Sequence, residues 1–279
     1  MIRNAVKKDD RRIARIDREG AKEIRFHEDV IPETVLVSEF GAYLAGFGYV
    51  LRGQGPYLHL VVRVNPRSSH AADAAEELFG ALKSWFLKYR KKAATPRSVL
   101  RLWCRDKEDA YQDFLEENGF RAEDRMLVME RKTGPGAPCG NEEIRELSLM
   151  APETMDRYIR LTKEAYGMPD RAEEMRYRLS KGRGRVFALH KNGVPVSFVT
   201  VWPFAAGTYA TENVFTVKAE QRKGYAGALL NEIAARLGNE GVAKLRLTVY
   251  EEDEEAIRLY RKIGYRTAYT LLEYRLGSD

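Results

Sequence analysis

The chain has 279 residues, 44% of them hydrophobic, and a formal net charge of +6 at pH 7. That length accommodates two modest domains or one large one, and the apolar fraction suffices for buried cores. No apolar run approaches the ~18 residues of a bilayer span, two cysteines (Cys104 and Cys139) indicate no disulfide framework, and the positive excess is spread without a lysine-arginine block, so neither membrane nor nucleic acid is expected as a partner. The opening MIRNAVKKDDRRIARIDREG has no apolar signal core, and a cytoplasmic protein is expected.

In chain order, residues 2–20 read as a strand and a helix, and TVLVSEFGAYLAGFGYVL (34–51) as two strands about a glycine turn. YLHLVVRV (57–64) is a strand, residues 71–89 a helix and 98–104 a strand. Residues 109–118 are a helix, and FRAEDRMLVMERK (120–132) a closing strand. TGPGAPCG (133–140) has three glycines, two prolines and no periodicity, which marks a linker.

The order then repeats. Residues 142–148 give a short strand, PETMDRYIRLTKEAYG (152–167) an amphipathic helix and residues 170–182 a polar helix. RVFALHKNGVPVSFVTVWPF (185–204) holds two strand runs around Asn192-Gly193, a strong hairpin signal. TYATENVFTV (208–217) is a strand, a helix runs to about Asn239, AKLRLTVY (243–250) is a strand, DEEAIRLYRKI (253–263) a helix and residues 265–276 a closing strand. The economical description is an internal repeat: domains at 1–132 and 141–279 joined by a linker at 133–140.

Between the strand at 208–217 and its helix stands QRKGYAGALL. Glycine costs about 1 kcal/mol inside a helix; at a helix start it lets another molecule lie against the backbone. Free N–H groups and the positive helix end suit an anion there.

NVFTVKAEQRKGYAGALL and AIRLYRKIGYR resemble two motifs of the GCN5-related N-acetyltransferase (GNAT) family. Gln221, Arg222, Lys223, Gly224, Tyr225 and Ala226 are similar to the acyl-CoA motif, and Ala256, Tyr260, Gly264 and Tyr265 to a later one. The resemblance covers residues 141–276 well and 1–132 less closely. It implies an α/β (or α+β) fold of two tandem GNAT-like domains, each a mixed, mostly antiparallel sheet flanked by helices.

The resemblance also implies transfer of an acetyl group from acetyl-CoA, as cosubstrate, to an amine of a small molecule, peptide or protein, without a metal. Backbone N–H groups from Arg222 to Gly227 then hold the pyrophosphate, with Gln221, Arg222 and Lys223 beside it. Phe215, Thr216 and Val217 present backbone to the pantetheine arm and the acetyl carbonyl. Tyr260 matches the general acid that protonates the leaving thiolate. Glu212 is a candidate general base or a plain surface glutamate, because register along a bulged strand is not set by sequence. Asp253 stands where the family often has asparagine and reads as a helix cap.

The first half departs from the motif: Ser69, Ala72 and Ala74 replace its key residues, Asp73 adds negative charge, and Leu115 stands where the second half has Tyr260. It reads as a degenerate copy. Tyr166, Met168, Tyr177, Trp202 and Phe204 either line the acceptor pocket or pack the core. Lys181, Arg183 and Arg185 either greet an acidic substrate or sit in solvent. His190 is expected to be exposed. A non-catalytic acyl-CoA-binding or regulatory module is the alternative to an enzyme.

Overall fold

The computed structural model describes residues 1–26, 29–53, 56–92, 97–134, 143–149, 151–167, 169–180 and 184–277. They form two compact units, one of residues 1–104, 108–123 and 273–279, the other of residues 105–107 and 124–272.

In the first unit β1 (Ile2–Asn4), β2 (Leu36–Phe40), β3 (Tyr43–Arg52) and β4 (Tyr57–Val64) pair antiparallel in that order. β4 then pairs in parallel with β5 (Val99–Arg105), over Tyr57–His59 and Val99–Arg101. A parallel neighbour requires a crossover, supplied by α3 (Ala71–Lys92), which buries Leu78, Phe79, Leu82 and Phe86 along one stripe. Asp73 in its first turn and Arg90, Lys91 and Lys92 in its last complement the helix dipole. The single helix expected near the N-terminus is two, α1 (Asp10–Ile16) and α2 (Arg18–Phe26), broken at the extended Asp17. The Asp17 side chain accepts from the N–H of Gly20. α4 (Asp109–Glu117) follows β5, and Cys104 is buried at the end of that strand.

The second unit has the strand order β6-β11-β10-β9-β8-β7. These are β6 (Arg121–Lys132), β7 (Ile144–Glu146), β8 (Arg185–Lys191), β9 (Val194–Ala205), β10 (Thr208–Thr216) and β11 (Lys244–Tyr250). All neighbours are antiparallel except β10 and β11. Asn192 (φ 51°) and Gly193 (φ 77°) make the β8–β9 turn left-handed at both residues, as the hairpin signal requires.

Helices α7 (Tyr225–Asn239) and α8 (Glu254–Lys262) cover one face, with Leu229, Leu230, Ile233 and Leu237 against Val199, Leu245 and Leu247. Helices α5 (Pro152–Tyr166) and α6 (Pro169–Ser180) cover the other, where Met155, Tyr158, Ile159, Met175 and Leu179 meet Val186, Ala188 and Phe198. Pro152 opens α5 at a position where its missing N–H costs nothing, and Gly167 (φ 64°) closes it.

The units do not divide at the linker between 1–132 and 141–279. Residues Met126–Lys132 of β6, which close the first half in sequence, lie antiparallel to Tyr250–Lys244 of β11 in the second unit. Leu127 and Met129 belong to the core over which α7 packs. Conversely, β12 (Arg266–Leu276) ends in the first unit, where Glu273 meets Arg101 and the Tyr274 hydroxyl donates to Glu116. The second unit thus takes β6 from the first half of the sequence, and the first unit takes the last residues of β12 from the second half. Residues 135–140 of the expected linker lie outside the described residues. Just before them, Gly134 lies so close to Gly238 of α7 that a side chain at 238 would strike its backbone.

A chain trimmed to residues 141–279 therefore lacks β6 and leaves the β11 edge unpaired. It is expected to aggregate or lose cooperative thermal unfolding, whereas residues 124–279 keep a cooperative transition; circular dichroism melts and size-exclusion chromatography check this.

Candidate active site

β10 and β11 stay paired for three residues only, Thr208–Ala210 with Lys244–Arg246. The Thr211 hydroxyl donates to the Arg246 carbonyl at 3.0 Å, the last link between them. Beyond it β10 remains on β9 and β11 on β6, so the two strands part and β10 has backbone groups with no strand beside them. Along that stretch the β9 register slips. Glu212 faces Thr200 and Phe215 faces Phe198, so three steps on β10 match two on β9. The extra residue makes a β-bulge, with Asn213 at φ 48°. Asparagine is among the few residues that tolerate this left-handed conformation.

After β10 the chain makes a tight turn, fastened by Val217 N–H to the Val196 carbonyl (2.9 Å) and by the Gln221 side-chain amide to the Thr216 carbonyl (3.1 Å). Arg222 (φ 65°) and Gly224 (φ 82°) are both left-handed, and Gly224 is the residue before α7. No side chain caps the helix. Among the described residues no backbone carbonyl accepts from the N–H groups of Arg222 to Gly227. Nothing lies within 4 Å of where a Gly224 side chain would begin. An uncapped helix start, fully accessible and flanked by cations, is an anion site in geometry and charge.

The expected contact residues divide by role. Gln221, Arg222, Lys223 and Gly224 are exposed, and Tyr225 and Ala226 half-buried. Lys223 donates to the Ala219 carbonyl and to Glu220, and Arg222 is paired with Glu255 in the first turn of α8. Gly227 is buried, and a side chain there would start 3.4 Å from Leu259, so its smallness serves the approach of α7 to α8. Phe215 stacks on Phe198 at 4.8 Å between ring centres, and the Thr216 and Ser197 hydroxyls are 2.9 Å apart. Val217 packs against the core. These three side chains are structural.

Tyr260 lies on α8, whose start is capped by Asp253 accepting from the Ala256 N–H at 3.0 Å. Burial first, and then the neighbouring Tyr166, Tyr265 and Asp253, push its phenol well above the usual tyrosine range, so it is held protonated. Tyr166, at the end of α5, donates to the Val214 carbonyl of the bulge at 3.2 Å, and is among the groups that act on the Tyr260 phenol. Glu212 is on the α5/α6 side, where Arg178 donates to both its carboxylate oxygens (2.9 and 3.4 Å) and lies 4.0 Å over the Trp202 ring.

The remaining candidates are dispersed. The exposed Tyr177 is at the end of α6, and Phe204 is exposed beneath Arg246. Arg185 is engaged by Glu146 and Glu240, and His190 contacts the Glu143 carbonyl away from the bulge. Met168, Lys181 and Arg183 lie outside the described residues. Sequence reasoning passed over Asn213, Arg178 and Tyr158. The available signal was an asparagine inside a strand, where β-propensity disfavours it and a bulge permits it.

The corresponding place in the first unit is built otherwise. β3 and β4 pair without a register slip. In the turn before α3, the N–H groups of Arg67, Ser68, His70 and Ala71 are taken by Asn65 and Ser68. The His70 ring stacks on Phe40 and contacts Asp73. Leu115 is fully buried at the position matching Tyr260. Where β4 and β5 part, Arg101 lies against the rings of Tyr57 (4.4 Å) and Trp103 (5.0 Å) and reaches His59 at 3.0 Å.

Residues 152–265 match the model of the acetyltransferase (GNAT) family. The match spans the bulge, the helix start and Tyr260, and is consistent with acyl transfer from an acyl-CoA. Over 99% of this chain and 95% of the other, the fold is similar to that of a GCN5-related N-acetyltransferase from Sphaerobacter thermophilus (TM-score 0.76, 20% identity). Over 100% and 98% it is similar to a tandem GNAT protein from the clavulanic acid biosynthesis pathway (TM-score 0.72, 12% identity). These likenesses extend the GNAT fold to both units. A comparison with curated protein sequences finds no match. Among the described residues no helix is long and apolar enough to cross a membrane, and no three or more His, Cys, Asp or Glu side chains are grouped to hold a metal ion.

His59 supplies a test of the filled site in the first unit. Burial, and then Arg101, lower its pKa to about 3. An unfolded histidine takes up a proton near pH 6.5. The stability contributed by neutral His59 is thus complete above about pH 6.5 and is lost as pH falls towards 3. Melting temperatures at pH 7 and pH 5 are expected to differ more for the wild type than for His59→Gln.

Proposed function

We propose that the chain is an N-acetyltransferase that moves an acetyl group from acetyl-CoA to an amine, with the chemistry in the GNAT domain. The observation that carries this reading is the uncapped start of α7, with its free N–H groups, on the same strand-turn-helix unit as the bulge. The α7 start holds the pyrophosphate, and the unpaired edge of β10 beyond Thr211 offers backbone donors to the pantetheine arm and the acetyl carbonyl. The amine nitrogen attacks the thioester carbon, the carbon–sulfur bond breaks, and Tyr260 gives its proton to the thiolate. Glu212 takes the proton that the amine loses, directly or through water.

One observation favours a second reading. Arg178 engages both oxygens of Glu212, as in a structural ion pair, which suits a non-catalytic acyl-CoA-binding module. Thiol release from acetyl-CoA in the presence of amines separates the two. The basic surface lacks the concentrated patch of a nucleic-acid binder, and a small molecule or a peptide amine is the proposed partner.

Coenzyme A is expected to bind at one site per chain by calorimetry, because the turn before α3 spends its amides internally. Gly224→Glu places a carboxylate where the pyrophosphate lies and a side chain where φ is positive. Its coenzyme A binding is expected to vanish while the circular dichroism spectrum stays native. Tyr260→Phe keeps the buried ring and removes its proton. Single-turnover kcat is expected to fall ~10²–10⁴-fold with little change in coenzyme affinity, and wild-type turnover would leave Tyr260 a packing residue.

A further inference from the structure

The α5/α6 side of the bulge holds two polar atoms that the acyl-transfer chemistry does not use. Asn213 Oδ1 and Trp202 Nε1 are buried and have no hydrogen-bond partner among the described residues. The two residues are 3% and 5% exposed. Proteins rarely leave such groups unpaired.

The arrangement around them is specific. Asn213 Nδ2 reaches the Tyr158 hydroxyl at only 3.5 Å, and that hydroxyl is 2.7 Å from Thr200 Oγ1. Turning the amide over would set its oxygen towards Tyr158 and orphan the nitrogen instead, so one polar atom of Asn213 is unpaired in either setting. The benzene edge of Trp202 is pressed against Gly184 on the β8 side, leaving no room there for a side chain. The pyrrole nitrogen is on the opposite edge of the indole, away from β8. Trp202 faces Ala210 across the β9–β10 pair, and Asn213 is three residues further along β10, roughly 10 Å at strand spacing. Arg178 lies over the Trp202 ring and is bonded to Glu212, the residue before Asn213, and its side chain is 34% exposed.

We propose that Trp202 and Asn213 are the specificity-determining residues of the acceptor subsite. They select a small amine that also carries a hydrogen-bond-accepting oxygen, such as an amino alcohol, amino acid or amino sugar. This rests on the N-acetyltransferase reading above. An indole N–H can only donate, so its partner must be an acceptor atom on the ligand, and a hydrocarbon amine has none besides the nitrogen lone pair that attacks the thioester. Asn213 Oδ1 accepts an N–H or O–H of the same molecule. Both atoms are shut off from solvent in this conformation, and the acceptor gains them by lifting Arg178 from the Trp202 ring.

The test uses wild-type protein, acetyl-CoA and matched amines with and without the oxygen: ethanolamine against propylamine, and 2-aminocyclohexanol against cyclohexylamine. Rates are compared per concentration of neutral amine. The oxygen-bearing member is expected to have a kcat/KM ~10²-fold higher, since a site built to bond a polar group rejects the analogue lacking it. Trp202→Phe keeps the ring and removes the donor. It is expected to cut that preference below about tenfold, with coenzyme A affinity and melting temperature retained, because the lost group had no partner to lose.

Equal kcat/KM within each pair, or a folded Trp202→Phe that keeps the full preference, overturns the proposal and leaves the acetyltransferase reading standing. If the variant fails to fold, the wild-type ratio decides alone. Coenzyme A binding without thiol release on any amine overturns the enzymatic reading, and this proposal with it.

Discussion

The three-residue limit on the pairing of β10 with β11 governs the rest of the second unit. A parallel pair that continued to the strand ends would have bonded every backbone group of β10 and left nothing for a ligand. Parting at Ala210 frees one edge of β10, and the bulge at Asn213 turns the following residues relative to that edge. The chain leaves β10 so that α7 begins with a left-handed glycine and unpaired amides, while Tyr166 holds the bulge from the α5/α6 side.

The first unit shows what happens when the same plan is kept without those details. Its β4 and β5 also pair for three residues and part, but β4 has no bulge. The parting is occupied by Arg101 between aromatic rings, beside a histidine held neutral by burial. Asn65 and Ser68 consume the turn amides that remain free before α7. The difference between a ligand-ready turn and a self-satisfied one thus comes down to a few short polar side chains and one glycine.

Much of this was legible in the sequence. The Asn192-Gly193 hairpin, the helix starting after Gly224, the Asp253 cap and the repeat of elements all follow from local rules, because each depends on residues a few positions apart. The Arg178–Glu212 pair and the orphaned Asn213 amide were not legible. They depend on a register slip that moves side chains between faces, and nothing in TYATENVFT states where the slip falls. The closing strands were found as strands, but their neighbours were not. β6 and β12 have similar alternating patterns, and a strand's pattern specifies a buried face, not the neighbour that provides it.

That exchange of closing strands has a consequence for how the protein is made. Synthesis runs from the N-terminus, so most of the first unit emerges early, yet it must wait for Glu273 and Tyr274, the latter bonded to a residue 158 positions before it. The second unit receives β6 ahead of its own strands and has all its residues once Leu272 has emerged. The half translated first is the half finished last, and until then its sheet carries an open edge of the sort that chaperones and misfolding compete for. Loss of a few C-terminal residues would accordingly injure the N-terminal unit, at the far end of the sequence from the lesion.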